Sequence, residues 1–384
     1  MRLWPFSRRR IYRSMSAPSE ELLGLQDLIR RNLEDVMVVE EQGARGNAFI
    51  FGGELRTEPR RALAIVEGRL RAQGYTPFIN RENGHTWVQV LPIGDVGESS
   101  RPGLNIVLFL LTLLSTLAAG SMVAGSFPWV TFDPVVEPAR LLDGLPFALT
   151  LLAILGTHEF GHYFTARAHG AAVSLPYFIP APPPIFLFGT LGAVIRMRSP
   201  ARDRNSLFDI AAAGPLAGLV VALPALWMGL SWSRVGAVPA SGAMAFGDSL
   251  LMRLMTWLMF GRIPDGMDVF VHPVALAGWV GLFVTALNLF PVGQLDGGRI
   301  AYALFGPQHR KVSLATFVAL IALGMVSGSM NWIVFAGLVA LLVGFNHGPP
   351  LDDVTPLSPG RYAMGVGCLL LLVLLIPPVP FSFS

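Results

Sequence analysis

The chain has 384 residues, of which 53% are hydrophobic and only 14% charged, and its mean hydropathy is +0.55. Average soluble domains are about a quarter charged, so the balance excludes an ordinary soluble enzyme, and one cysteine, Cys368, excludes a disulfide framework or a cysteine-based zinc site. The net charge of +3 points to no nucleic-acid partner: 27 of 28 basic residues are Arg, and they form no patch interleaved with aromatics.

In chain order, residues 1–20 form a basic tail. No apolar run follows Arg13, so a targeting signal is disfavoured and a cytosolic tail expected. Of the 53 charged residues, 28 fall in residues 1–101, which separates a polar N-terminal part from a charge-poor membrane part. Residues 21–95 predict a small cytosolic α+β domain ordered α-β-β-α-β-β. Leu22, Leu25, Leu28, Ile29 and Leu33 have helical spacing, and PRRALAIVEGRLRAQG is a second amphipathic helix closing at Gly74. TPFIN and HTWVQVLPI are strands around the polar turn at Arg81–Gly84. The module carries no cluster of titratable groups; it reads as a soluble cap or as a site for a regulatory partner.

A linker at 96–103 leads to a membrane domain over 104–384. The fold class expected is a polytopic α-helical membrane protein of about seven spans, with a re-entrant β-hairpin, behind the N-terminal α+β domain. The spans are Leu104–Gly125, Leu145–Arg167, Leu207–Leu230, Phe270–Phe290, Val312–Gly328, Asn331–Phe345 and Met364–Ile376, the last two short. Residues 249–262 carry Arg253 in a run too short to cross and suit an interfacial helix. The basic loop at 196–204, together with Arg299, Arg310 and Lys311, marks the cytosolic side, which leaves the N-terminus cytosolic. PYFIPAPPPIFLFG cannot be helical, whereas LGAVIRM reads as a strand, so 175–197 is the hairpin candidate.

The second span holds HEFGH, residues 158–162. On a helix, His158 and His162 share one face and can hold one metal ion, and Glu159 beside them can take a proton from water. Zinc so held lowers the pKa of water toward neutrality. Ionisable groups in hydrocarbon are costly and functional by default. A catalytic zinc needs a third protein ligand. Asp296, in NLFPVGQLDGG after the fourth span, can complete a His₂Asp set or can instead cap the next helix. Gly214 and Gly218 form a small-xxx-small packing pattern in the third span. Asp209, buried by this reading, could contact the site but better suits a helix start or polar packing, and His85, His169, His272, His309 and His347 read as surface or interfacial residues.

HEFGH and NLFPVGQLDGG together resemble the site-2 protease family of intramembrane zinc metalloproteases, peptidase family M50. SLPYFIPAPPP, GAVIRMRSP and LFDIAAAGPLAG resemble its bacterial, archaeal and plastid branch with a cytosolic N-terminal domain, and the similarity covers roughly residues 20–345. The resemblance implies that His158, His162 and Asp296 bind one Zn²⁺ and that Glu159 is the catalytic base. Asn288 is the candidate oxyanion donor, or a hydrogen bond that steadies a broken helix. The expected activity is endopeptidase cleavage in or near a transmembrane helix of a membrane-embedded protein. The alternatives are an intramembrane metal transporter and a scaffold acting through residues 21–95. A prokaryotic plasma membrane is the expected location, with a plastid membrane also open.

Overall fold

Periodic apolar residues in the N-terminal part close onto one sheet. The computed structural model describes residues 20–45, 48–82, 84–93, 102–126, 137–183, 186–238 and 244–383; the basic tail and most of the linker lie outside these. Contacts divide the chain into two units. One contains Met1–Ser99 with Arg198–Leu207 and Gly348–Pro359, and the other contains Ser100–Met197, Phe208–His347 and Gly360–Ser384.

In the first unit the elements run α1 (Glu20–Arg31), β1 (Met37–Arg45), β2 (Ala48–Leu55), α2 (Pro59–Leu70), β3 (Thr76–Glu82) and β4 (His85–Leu91). The strands form an antiparallel sheet of order β1-β2-β4-β3. Phe49, Phe51, Ile79, Val88 and Val90 from the sheet pack on Ile29, Leu63, Val66 and Leu70 from the helices and on Leu33 from the turn after α1. Pro59 opens α2, where its missing N–H costs nothing. Gly74, at φ 78°, turns the chain back after α2 in a conformation other residues resist.

The β3 edge is not left open. Ile79 N–H donates to the Leu351 carbonyl at 2.7 Å, and Asp353 N–H donates to the Ile79 carbonyl at 2.9 Å. Leu351 and Asp352 then donate to the carbonyls of Ala201 and Arg202, both at 2.9 Å. Two segments far along the chain thus cover a strand edge that would otherwise template pairing with another chain.

The remaining helices are α3 (Pro102–Val123), α4 (Leu145–Ala168), α5 (Arg204–Ser231), α6 (Leu250–Phe260), α7 (Pro273–Leu289), α8 (Asp296–Phe305), α9 (His309–Ser327), α10 (Met330–Leu338) and α11 (Pro359–Leu375). Among the described residues, four stretches are long and apolar enough to cross a membrane: Pro102–Val123, Pro138–Ala168, Arg204–Ser231 and Asp296–Ser327. Leu114, Val220, Val318, Val326 and Leu341 lie exposed, as lipid-facing side chains do. The membrane part is therefore polytopic. The seven-span expectation differs at α7, α10 and α11, which are apolar but shorter. The 17 residues of α7 rise about 26 Å, against a hydrocarbon core of about 30 Å. The expected fifth span joins a longer run beginning at Asp296, because α8 and α9 follow each other with a single 3₁₀ turn between. At 11 residues, α6 is too short to cross, as expected of 249–262.

Close helix packing relies on glycine. A Cβ on Gly278 or Gly281 of α7 would collide with Leu226 of α5 or Ile154 of α4. The expected strand in LGAVIRM forms as β6 (Thr190–Val194), paired antiparallel with β5 (Tyr177–Pro180). Two bonds pin this hairpin to α3: Asn105 Nδ2 donates to the Pro176 carbonyl at 2.7 Å, and Ser115 Oγ donates to the Gly189 carbonyl at 2.6 Å. Two further pairs, β7 (Arg234–Ala237) with β9 (Met267–Phe270) and β8 (Met244–Phe246) with β10 (Phe381–Phe383), escape sequence reading. Strands of three or four residues are too short to display a period.

Phe51 is fully buried in the N-terminal core. Phe51→Ala should destabilise that unit by about 3–5 kcal/mol. The check is hydrogen exchange across residues 37–55 in denaturant, where protection should be lost at lower concentration than in wild type.

Candidate metal centre

Helix α4 starts with Pro146 in its first turn and buries Phe147, Leu151, Ile154 and Leu155 before the polar run begins. His158 and His162 continue that inward face one turn apart, at 4% and 3% exposure, and Glu159 is 7% exposed. The third group comes from a broken segment. Helix α7 ends at Leu289, Gly293 turns with φ 52°, and α8 begins at Asp296. Gly297 and Gly298 lie so close to the carbonyls of Leu289 and Gly293 that a Cβ would overlap them. Those glycines let the start of α8 fold back onto the end of α7. The N-cap of α8 is Leu295, and the Asp296 carboxylate turns toward the histidines rather than capping its own helix.

The three ligand-type atoms converge. His158 Nε2 lies 3.3 Å and His162 Nε2 3.1 Å from Asp296 Oδ2, and the two Nε2 atoms are 3.2 Å apart. Zinc–nitrogen bonds of about 2.0–2.1 Å make the edges of a tetrahedron about 3.3 Å. The triangle therefore fits one face of a zinc-sized coordination sphere. Lone pairs held this close repel unless a positive charge lies among them. Among the described residues, this is the one group of three or more His, Cys, Asp or Glu residues with ligand spacing.

The surrounding groups fix the ring orientations. His162 Nδ1 is 2.6 Å from the Ile210 carbonyl. A carbonyl only accepts, so Nδ1 carries the proton and Nε2 presents its lone pair to the point it shares with His158 Nε2 and Asp296 Oδ2. Glu159 Oε1 is 4.0 Å from His158 Nε2, beside the ligand triangle, and its carboxylate accepts a bond from the Ile195 backbone at the end of β6. Asn288 Nδ2, one residue before the end of α7, is 3.3 Å from His158 Nε2. All five residues singled out in the sequence, His158, Glu159, His162, Asn288 and Asp296, are thus brought together.

Other expectations change. The Gly214–Gly218 pattern does mediate close packing, but onto the His162 and His158 side chains. A Cβ at Gly214 would overlap His162 Nε2, and one at Gly218 would press on His158. His309 is not at the surface; it is 2% exposed, is hydrogen-bonded to Ser313 at 3.1 Å and packs on Tyr302 and His347. His272 caps α7, accepting from Val274 N–H at 3.2 Å. Asp209 pairs with Arg361 and His169. Sequence reasoning missed the Ile210 carbonyl and the Ile195 N–H. Backbone groups occur at every residue and leave no compositional trace.

An HExxH helix and an acidic turn from a later helix, converging inside a polytopic helical unit, make a candidate metal centre of the HExxH class. Residues 146–330 match the model of peptidase family M50, and the chain belongs to that family. It is 33% identical over 379 residues to the probable zinc metalloprotease EGY1, chloroplastic, of Arabidopsis thaliana, covering 88% of this chain and 68% of the relative. It is 29% identical over 374 residues to the probable zinc metalloprotease EGY2, chloroplastic, of Oryza sativa subsp. indica, covering 91% of this chain and 65% of the relative. The chain thus spans about two thirds of the length of these relatives. No solved structure matches it.

Gly214→Ala tests the packing against the ligand ring. The added methyl should displace His162 and weaken zinc binding about 10–100-fold, as loss of a ligand-orienting contact does. Competition with a chelator of known affinity measures the change.

Proposed function

We propose that the chain is an intramembrane zinc endopeptidase that hydrolyses a peptide bond in or near a transmembrane helix of a substrate protein. One observation carries this reading: His158, His162 and Asp296 meet at 3.1–3.3 Å with Glu159 beside them, inside an apolar helical unit. One zinc held by the three ligands supplies Lewis acidity toward the scissile carbonyl and a lowered pKa for water.

The chain's own groups do the rest. Glu159 accepts a proton as water oxygen bonds to the peptide carbon, and donates it to the amide nitrogen as the C–N bond breaks. Asn288 Nδ2 donates a hydrogen bond to the oxygen on which negative charge develops. The Ile195 N–H steadies the Glu159 carboxylate. A substrate helix hides its peptide bonds in its own ladder and must unwind before cleavage. We assign β6 as the platform on which the unwound segment adds as a strand, because its end adjoins Glu159. On this reading β5–β6 is a re-entrant hairpin at membrane depth.

The chain is a multi-pass membrane protein, and we count seven crossings by including the shorter apolar helices α7, α10 and α11. Arg196–Arg204, Arg299, Arg310 and Lys311 put their side, and with it the N-terminus, in the cytosol. The prokaryotic plasma membrane is our assignment; a plastid membrane, in keeping with the relatives' chloroplastic names, is the alternative. Residues 21–95 form the cytosolic module and the docking place for a regulatory partner. Metal transport has no support, and a transporter requires no general base at Glu159.

The test is zinc content and cleavage of a membrane-helix substrate in detergent. Wild type should hold one zinc and cut. Glu159→Gln should keep the zinc and lose cleavage, whereas Asp296→Ala should lose both. Asn288→Ala should keep the zinc and lower kcat about 10²–10³-fold. Cleavage by Glu159→Gln at the wild-type rate would refute the mechanism.

A further inference from the structure

We propose that Asp209, braced by Arg361, is a positioning residue for the His162 ring. The inference rests on His162 being a zinc ligand. Helices α4 and α5 are joined by two side-chain bonds at different depths. His162 Nδ1–H donates to the Ile210 carbonyl at 2.6 Å, and His169 bonds the neighbouring Asp209 through Nε2 to Oδ2 at 3.0 Å. His169 caps the C-terminus of α4, two turns beyond His162. Helix carbonyls point toward the C-terminus and side chains lean toward the N-terminus. Consecutive residues of α5 can therefore grip α4 at both places.

The grip needs bracing because α5 is weakened at this point. Pro215 has no N–H, so the Ala211 carbonyl loses its intrahelical bond one residue after Ile210. Arg361 of α11 supplies the brace. Its Nε donates to Asp209 Oδ1 and its Nη2 to Oδ2, both at 2.7 Å, a bidentate pair with a fixed plane. Asp209 is only partly buried, with a side-chain exposure of 22%, so its burial contributes little to the core. The pair instead sets the rotation and height of the first turns of α5. If those turns shift by about 1 Å, the bond to His162 Nδ1 passes beyond hydrogen-bond range. His162 Nε2 then leaves the position it shares with His158 Nε2 and Asp296 Oδ2.

Asp209→Asn, Arg361→Gln and Arg361→Lys are compared with wild type in the full-length protein. The measurements are zinc affinity by chelator competition, the visible absorption of the cobalt-substituted protein, thermal midpoint, and the separate kcat and KM. Asp209→Asn and Arg361→Gln should bind zinc about 10–100-fold more weakly, with altered cobalt bands and lower kcat at similar KM, and Arg361→Lys should recover part of each loss. Should Asp209→Asn fail to fold, Arg361→Gln, on a different helix from the ligands, decides alone. Wild-type zinc affinity and cobalt bands in Arg361→Gln, with or without a lower thermal midpoint, would overturn this proposal and leave the protease reading standing. Wild type that binds no zinc would overturn both.

Discussion

Two imidazoles and the Glu159 carboxylate lie buried in an apolar helical unit, with the Asp296 carboxylate partly buried beside them, so that bulk water does little to satisfy them. A charge at the centre of a bilayer costs about 2.5–3.5 kcal/mol on insertion scales, so each such group needs a partner supplied by the fold. That demand explains most of the local structure. Asp296 answers both histidines, the Ile210 carbonyl answers His162 Nδ1, and the Ile195 backbone answers Glu159. Every member of the cluster faces another, which is the condition under which a buried polar network holds a single arrangement.

Meeting the demand requires close approach, and close approach requires small residues. Helix α5 presents Gly214 and Gly218 to the His162 and His158 side chains, and Gly297 with Gly298 brings the start of α8 against the end of α7. Leucine at these positions would fill the volume the imidazoles and carboxylate use. The same helix carries Pro215, so a backbone loosened in one place is also the one that orients the His162 ring. The hairpin β5–β6, tied to α3 through Asn105 and Ser115, sets a strand edge beside Glu159. The proposed chemistry and the proposed substrate platform thus share the same few ångströms.

The N-terminal unit obeys a different constraint. A four-stranded sheet with two helices buries a core of its own, but its β3 edge would stand open. Residues 201–203 and 351–353 close it, and Leu351 joins the core. The unit is therefore not collinear with the sequence, although its α-β-β-α-β-β order is.

Local pattern carried what depends on neighbours in sequence. The i, i+4 histidines with an adjacent glutamate, the apolar runs, the Gly- and Pro-broken stretch around Asp296 and the amphipathic helices of residues 20–70 are all set within a few residues by helical and strand periods. The meeting of Asp296 with His162 joins residues 134 apart, and that of Asp209 with Arg361 joins residues 152 apart. No local period encodes such distances. The same holds for the Ile210 carbonyl, for the burial of His309, for the rings packed on Gly214 and for the closing of the β3 edge. These arise because a helix face or strand edge can be satisfied only by whatever the completed packing lays against it, and that choice belongs to the tertiary structure.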